Sequence, residues 1–201
     1  MKRLLVATHN FHKVKEIELF LSDIPIQIIS LVDLDINLKV EETAESFKSN
    51  ALKKAKEYQR LSGEITLAED SGLEVFSLGG QPGVISARYG GEELNDSERV
   101  NFLLKEMENI DGWNRAARFV SVVVLINNNG ELMNVSQGYL NGFISHQKIG
   151  SNGFGYDPIF WLPEKSTTTA KLSLIEKNKI SHRGKALKAI KPTLKSLYRI
   201  V

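Results

Sequence analysis

Residues 2–30, KRLLVATHNFHKVKEIELFLSDIPIQIIS, contain the alternation of strand and helix that decides the fold class. The apolar run in 2–7 predicts a buried strand, and apolar residues then recur at helical spacing, which predicts a helix over 10–21. Pro25 closes this helix, and 26–30 is a second apolar strand. A β-α-β opening of this kind indicates an α/β fold.

The rest of the chain continues this alternation of helix-period and strand-period hydrophobicity. Helices are predicted over 47–61, 96–107 and 184–197, and strands over 65–68, 119–126 and 132–143. No internal repeat, low-complexity tract or linker interrupts the pattern. We therefore predict a single α/β domain over residues 1–201, built on a long central sheet.

Composition excludes several classes of protein. The 26 basic and 24 acidic residues leave a net charge of +2, which is no electrostatic footprint for duplex nucleic acid. The absence of cysteine excludes disulfides and thiolate metal sites and fits a reducing compartment. The apolar N-terminal run is too short for a signal peptide or a membrane span. We expect a cytoplasmic protein with neither a membrane nor a nucleic acid as partner.

The segment 153–160 combines residues that neither a helix nor a strand would favour together. Gly153 and Gly155 allow close backbone approach, while two aromatic residues offer flat faces. Asp157 stands before a rigid proline. This composition suits a shaped loop that holds a planar ring, but it also suits an ordinary Gly/Pro turn with core aromatics.

Two predicted helices begin with basic rather than acidic residues. One start carries Thr8 and Lys13 with two histidines, and the other spans 181–185 with two lysines upstream. Because a helix N-terminus is electropositive, bases there are unfavourable unless an anion joins them. Free backbone amides, a hydroxyl and basic side chains form a phosphate site, although the same side chains could simply point into solvent. Neither start matches a Walker loop.

Two acidic pairs suggest a metal. Glu69 and Asp70 follow the predicted strand 65–68, and ligands of α/β sheets bind at strand ends. Glu41 and Glu42 precede the helix over 47–61. Such hard oxygen ligands favour Mg²⁺ together with substrate phosphates, and one carboxylate could deprotonate a water. Alternatively, residues 70–72 form a turn, and Glu41 and Glu42 are solvated acids at a helix start.

These motifs, in this order, resemble the inosine triphosphate pyrophosphatase family, whose members hydrolyse dITP, ITP and XTP. Each block alone is weak, but the ordered set is specific and spans nearly the whole chain. The matching blocks are 7–10 with Lys13 and Glu16, 41–43, 69–73, 82–83, 86–89, 153–160, Lys177 and 181–187. The resemblance implies an elongated mixed β-sheet flanked by helices, with two lobes around a central cleft, usually assembled as a homodimer.

The resemblance also implies roles for individual residues and a reaction. Asp70 would be the proton acceptor and would bind Mg²⁺, one or more ions, with Glu41 as the second carboxylate. The residues implied to bind a purine nucleoside triphosphate are Thr8, His9, Asn10, Phe11, His12 and Lys13 in a phosphate loop, Ser71, then Phe154, Gly155, Tyr156 and Asp157 around the base, and Lys177, His182 and Arg183 at its polar edge. The products would be a nucleoside monophosphate and pyrophosphate, which cleanses the nucleotide pool.

The chain departs from the common family pattern at two places. Glu69 stands where many members have Asp, so its metal role stays open. The metal role of Glu42 is open as well. Phe11 and His12 replace a small, often Gly-containing pair, so the shape of the phosphate loop stays open. The resemblance does not rank ITP, dITP and XTP, or say whether Mn²⁺ substitutes.

Two other functions compete with this interpretation. One is a Maf-like pyrophosphatase for pyrimidine or modified nucleotides, against which the blocks 181–185 and 154–157 argue. The other is a non-catalytic nucleotide-sensing or RNA-binding module that uses the basic helix starts and aromatics. Such a module needs clustered surface bases with interleaved aromatics, whereas the bases here are offset by acids.

Overall fold

The computed structural model of the protein describes residues 2–199, which contain seven strands and five α-helices. The strands are β1 (Arg3–Val6), β2 (Gln27–Ser30), β3 (Thr66–Val75), β4 (Ala116–Ile126), β5 (Leu132–Ile144), β6 (Phe160–Leu162) and β7 (Thr167–Thr168). The helices are α1 (Phe11–Leu21), α2 (Phe47–Ser62), α3 (Asp96–Glu106), α4 (Leu174–Ile180) and α5 (His182–Leu197). Within 2–199, no helix combines the length and the apolarity needed to cross a bilayer.

The strands form one sheet in the order β2-β1-β3-β4-β5-β6-β7. β1 pairs in parallel with β2 and with β3, and its Leu5 is opposite Ile29 on one side and Thr66 on the other. β6 is antiparallel to both β5 and β7. The predicted mixed α/β fold is therefore confirmed.

The chain divides into two compact units. The first unit comprises Ser121–Gly138 and the described residues of Met1–Asp70 and His182–Val201, and the second comprises Ser71–Val120 and Tyr139–Ser181. The assignment of both units to one domain stays a prediction.

Helices α1 and α5 form much of the core of the first unit. Val14, Ile17 and Leu21 recur at helical spacing along one face of α1, and this face is buried. It belongs to one apolar cluster with residues of β1, β3, β4 and α5. The other buried members of the cluster are Leu4, Val6, Ile24, Leu67, Val123, Leu125, Ala186, Leu187, Ile190, Leu194 and Tyr198.

The second unit has its own core, in which α3 packs with the remaining part of β3. Leu103 and Met107 are fully buried with Leu73 and Val75. Aromatic residues also belong to this core, and the ring centroids of Phe119 and Phe160 lie 4.3 Å apart. Each unit thus buries an apolar cluster of its own.

Strand β3 is longer than the sequence predicted. The strand expected over 65–68, with the acidic cluster at its end or in a turn, continues to Val75, so Glu69 and Asp70 lie inside it. The prediction was wrong because consecutive carboxylates are unfavourable in a buried strand unless they are paired. Here buried cations compensate both charges, so strand pairing continues.

Other boundaries differ for simpler reasons. β6 and β7 have three and two residues, too few to show a period of two. Helix α4 was also missed, although Ser173 and Glu176 form a capping box at its start, a signal that the sequence carries. Helix α5 begins at His182, two residues before the predicted start.

Gly138 in β5 allows close packing of α5 within the first unit. A Cβ atom at this position would collide with the backbone oxygen of His182 and would lie 2.7 Å from the backbone nitrogen of Ala186. These atoms belong to the backbone of the helix, so they could move only with α5 itself. The glycine therefore sets the distance between strand and helix.

We predict that Gly138→Ala lowers the free energy of unfolding by about 1–3 kcal/mol, because the new methyl group overpacks this contact. Chemical denaturation of the variant beside the wild-type protein measures the change. Gln137→Ala is the matched control, since Gln137 is exposed on the same strand, and its effect should stay within about 0.5 kcal/mol. Equal stability of the two variants would contradict the close-packing role of Gly138.

Candidate active site

The start of helix α1 is capped by the chain itself. The side chain of Asn10 accepts hydrogen bonds from the backbone amides of His12 and Lys13, at 2.9 and 3.2 Å. The Thr8 hydroxyl accepts a bond from the Asn10 amide at 3.1 Å. Asn is a favoured N-cap residue, so the segment 8–13 has a defined shape of its own. Two of the amides that the sequence analysis treated as free for phosphate are already bonded.

The basic residues at this helix start have different environments. Lys13 is half-buried, and its Nζ lies 3.2 Å from Oε2 of Glu69. His9 is exposed, with its Nε2 3.0 Å from the backbone oxygen of Leu38. Phe11 and His12 are also exposed, so the residues that depart from the family pattern lie at the surface. Phosphate binding by 8–13 stays a prediction.

Asp70 is a buried acid of the first unit whose surroundings suit proton transfer. Its Oδ1 lies 3.3 Å from Nζ of Lys54, and its side chain is only 4% exposed. Burial raises its pKa, the charges of Lys54 and Lys13 lower it, Glu42 raises it, and the net pKa is above the usual value. The side chain of Asn50 also lowers the pKa of Asp70, by a smaller amount. No described group makes a hydrogen bond of normal geometry to Oδ2 of Asp70. Such a carboxylate is well suited to accept a proton.

Lys54 links Asp70 to a second carboxylate, that of Glu42. Its Nζ lies 2.7 Å from Oε1 of Glu42 and is buried between the two acids. Burial by itself would lower the pKa of Lys54, but the charges of Asp70 and Glu42 outweigh it and raise that pKa. The ammonium is therefore charged at neutral pH. Lys54 was not among the predicted site residues, although it lies on the same helical face as the buried Ala51 and Tyr58, where a lysine is unexpected.

The two adjacent glutamates differ in position. Glu42 is half-buried beside Lys54, whereas Glu41 is exposed and its backbone oxygen accepts a bond from Nζ of Lys53 at 2.7 Å. The prediction of Glu41 as a metal ligand stays a prediction. The contacts bring Glu42, rather than Glu41, to the same lysine as Asp70.

The residues near Asp70 fit a divalent cation that also binds substrate. Among residues 2–199, no three His, Cys, Asp or Glu side chains are arranged to hold a metal by themselves. Mg²⁺ does not need such a cage, since one or two carboxylates with substrate phosphates and water suffice. The buried Oδ2 of Asp70, without a hydrogen-bond partner, and the neighbouring Glu42 are hard oxygen donors of the right kind.

Glu69 lies in a separate group of buried charges. Its Oε1 accepts hydrogen bonds from Ser121 at 2.7 Å and from Nε of Arg183 at 2.9 Å. A second nitrogen of Arg183 is bonded to Glu16. Burial alone would raise the pKa of Glu69, but Arg183, Lys13 and Ser121 together lower it far below its usual range. Glu69 is therefore ionised: its Oε1 accepts hydrogen bonds, whereas its buried Oε2 has the ion pair with Lys13 but no hydrogen bond of normal geometry.

These contacts bear on the predicted substrate roles of His182 and Arg183. His182 is buried at the start of α5, and its charge also lowers the pKa of Glu69. Arg183 is engaged by Glu16 and Glu69, and its side chain is 1% exposed. Both substrate roles stay predictions, but the observed partners of Arg183 are protein carboxylates.

In the second unit, the carboxylate of Asp157 organises the loop over 153–160. Its Oδ2 lies 2.5 Å from Nζ of Lys177 and accepts a bond from the Phe154 amide at 2.9 Å. Its Oδ1 accepts a bond from the hydroxyl of Thr169 at 2.8 Å, a partner that the sequence analysis missed. Gly153 has a φ of +78°, and a side chain there would collide with this carboxylate. The loop is thus shaped around a buried acid.

Phe154, Gly155 and Tyr156, the other residues predicted to surround the base, all have contacts within the second unit. The ammonium of Lys177 stands 4.8 Å from the ring centroid of the half-buried Phe154. The hydroxyl of Tyr156 donates to the backbone oxygen of Ser86 at 2.9 Å, so Tyr156 is part of the unit's core. The amide of Gly155 donates to Asp96 at 2.8 Å.

Ser71, the other residue predicted to touch the substrate, is half-buried in β3, directly after Asp70. Neighbouring residues of a strand point to opposite faces. The role of Ser71 stays a prediction.

The fold is thus that of a mixed α/β protein, with a buried acid beside a cationic helix in the first unit. The model of the Ham1 family matches residues 4–193, so the chain belongs to the Ham1 family. This confirms the resemblance found in the sequence.

Several proteins similar in sequence are named dITP/XTP pyrophosphatase. A dITP/XTP pyrophosphatase of Clostridium perfringens is 43% identical over 99% of this chain and 100% of its own length. The protein of that name from Bacillus subtilis is 39% identical over 98% of both chains. A solved HAM1 protein from Coxiella burnetii has a TM-score of 0.87 at 37% identity, covering 98% of this chain and 100% of that one.

We predict that Asp157→Asn lowers the free energy of unfolding by about 3–5 kcal/mol, because it removes the buried negative charge that lies 2.5 Å from the ammonium of Lys177. Thr169→Val removes a single hydrogen bond to the same carboxylate and should cost about 1 kcal/mol. Chemical denaturation measures both changes.

The control for charge removal is Glu164→Gln, since Glu164 is exposed in the same unit, with an expected change within about 0.5 kcal/mol. If Asp157→Asn were as harmless as this control, Asp157 would not organise the loop.

Proposed function

We propose that this protein is a Mg²⁺-dependent nucleoside-triphosphate pyrophosphatase that hydrolyses non-standard purine nucleotides such as ITP, dITP and XTP. The carrying observation is Asp70, a buried carboxylate with a raised pKa, one oxygen 3.3 Å from Nζ of Lys54 and the other without a hydrogen-bond partner. Relatives about 40% identical over nearly the whole chain are named dITP/XTP pyrophosphatase, which supports the same substrate class here.

In the proposed reaction, Asp70 accepts a proton from the attacking water. A bond forms between the water oxygen and the α-phosphorus, and the bond from that phosphorus to the oxygen bridging to the β-phosphate breaks. Pyrophosphate leaves with the electron pair of that bond, and a nucleoside monophosphate remains. The geometry of Asp70 supports this role, because one of its oxygens lies beside Lys54 and the other is buried without a hydrogen-bond partner.

Lys13 and Lys54 are the proposed cationic partners of the triphosphate. Both are near carboxylates in the first unit, so their ammonium groups are held in place before an anion arrives. Preformed charges of this kind stabilise a developing negative charge without reorganisation. Mg²⁺, when held by Asp70 and a glutamate of the 41–42 pair, would neutralise phosphate charge and help to orient the triphosphate.

The proposed base-binding residues of the second unit are Phe154 and Lys177. A half-buried aromatic face can stack on a purine, and the nearby ammonium can donate to a 6-oxo group. Adenine presents an amino group at that position, so that a donor would face a donor, and such mismatches give large selectivity. We further propose a homodimer, which the family resemblance supports, and a cytoplasmic location, which the absence of cysteine fits.

The test is pyrophosphate release from ITP, XTP, dITP, GTP, ATP, dTTP and UTP, with Mg²⁺ and with EDTA. We predict metal-dependent release from the first three and little from the others. Asp70→Asn should lower kcat by about 10²–10⁴-fold, since the general base is lost, while ITP binding stays measurable by calorimetry.

Asp111→Asn is the control for the Asp70 variant, because the Asp111 side chain is 81% exposed, and it should behave like the wild-type protein. Wild-type turnover by the Asp70 variant would refute the catalytic assignment. Release from dTTP or UTP instead would indicate a Maf-like enzyme, and RNA binding without hydrolysis would indicate a binding module.

The adjacent glutamates offer a second prediction. Glu42→Gln should raise the Mg²⁺ concentration for half-maximal turnover by about 10–100-fold, and Glu41→Gln should change it little, because Glu42 shares Lys54 with Asp70. Titrating Mg²⁺ in the pyrophosphate assay measures both variants. The reverse order would assign the metal to Glu41, as the resemblance implies.

A further inference from the structure

Four charged side chains form a continuous series in the first unit, in the order Glu16, Arg183, Glu69 and Lys13, which we call the buried charge series. Arg183 is bonded to Glu16 through Nη1 and to Oε1 of Glu69 through Nε, at 2.9 Å for the latter. Oε2 of Glu69 then lies 3.2 Å from Nζ of Lys13. The series therefore joins α5, α1 and β3.

Exposure increases at one end of this series. The side chains of Glu16, Arg183 and Glu69 are 2%, 1% and 1% exposed, whereas that of Lys13 is 14% exposed. Lys13 is thus the most accessible of the four to an incoming anion. The other three are enclosed by protein.

Stability alone is a poor reason for such an arrangement. Desolvation of buried ions offsets most of their attraction, and apolar side chains of similar volume often stabilise a core as well or better. Fixed geometry is what a paired buried charge can add. Ser121 and Arg183 both bond to Oε1 of Glu69, which orients its other oxygen, Oε2, toward Lys13.

We propose that Glu69, held by Arg183 and Glu16, is a positioning residue that fixes the ammonium of Lys13 for the triphosphate. This inference rests on the proposed function, in which Lys13 binds phosphate. It gives Arg183 a different role from the one implied by the family resemblance, because its guanidinium acts on Glu69 instead of the base.

A double-mutant cycle with Lys13 tests the proposal. Glu69→Gln keeps the side-chain shape and removes the charge, and it should lower kcat/KM for ITP about tenfold in the wild-type background. In a Lys13→Met background the same change should cost less than about twofold, because the group that Glu69 positions is gone. Glu16→Gln, which acts through Arg183, should show the same dependence on background.

The same cycle is repeated for ITP binding by calorimetry in EDTA, so that poorly active variants still report. Glu18→Gln is the matched control, since Glu18 is exposed on the same helix as Glu16, and it should match the wild-type protein. Thermal denaturation confirms that each variant is folded.

The outcomes separate the possible roles. Equal losses in both Lys13 backgrounds would overturn the proposal, because a merely structural effect does not depend on Lys13. Loss of the preference for ITP over ATP in Glu69→Gln and Glu16→Gln would overturn it in favour of base recognition through Arg183. A wild-type protein that binds ITP without hydrolysing any nucleotide would refute the proposed function alone, and the binding cycle would still decide the role of Glu69.

Discussion

The first unit depends on the burial of two consecutive carboxylates, Glu69 and Asp70, inside strand β3. Neighbouring residues of a strand point to opposite faces, and the partners of the two acids accordingly come from different helices. Glu69 meets the cations of α1 and α5, whereas Asp70 meets Lys54 of α2. An unpaired charge would be costly in the interior. Three helices must therefore pack against β3 so that their cations reach these two carboxylates.

The same two carboxylates illustrate how environment assigns different roles to similar groups. Glu69 is surrounded by cations and a hydroxyl donor, so its charged form is strongly favoured; its Oε1 accepts two hydrogen bonds and its Oε2 lies beside Lys13. Asp70 has fewer compensating partners, a raised pKa and an oxygen without a hydrogen bond. Paired carboxylates whose pKa values are pushed apart are a recurring basis for acid–base chemistry. The first is suited to hold geometry, and the second to exchange a proton.

Each unit holds a lysine against a buried acid. In the first unit Glu69 faces Lys13, and in the second Asp157 faces Lys177 at 2.5 Å. In both cases further hydrogen bonds hold the acid itself, from Ser121 in one and from Thr169 in the other. A long, flexible cation gains a fixed position in this way, which is what recognition of a multiply charged ligand requires.

The sequence by itself determined the α/β class, because periodicity is local and the helices over 10–21 and 47–61 were recognisable from it. It also singled out Asp70 through an ordered set of motifs. Only the tertiary structure decided which charges meet: Arg183 bonds to Glu69 and Glu16, which are 114 and 167 positions away. Likewise, Glu41 and Glu42 are equivalent in the sequence, and only the path of the chain before α2 brings one of them to Lys54. Pairing of distant charges depends on which faces the strands and helices present to each other, and no local pattern encodes that.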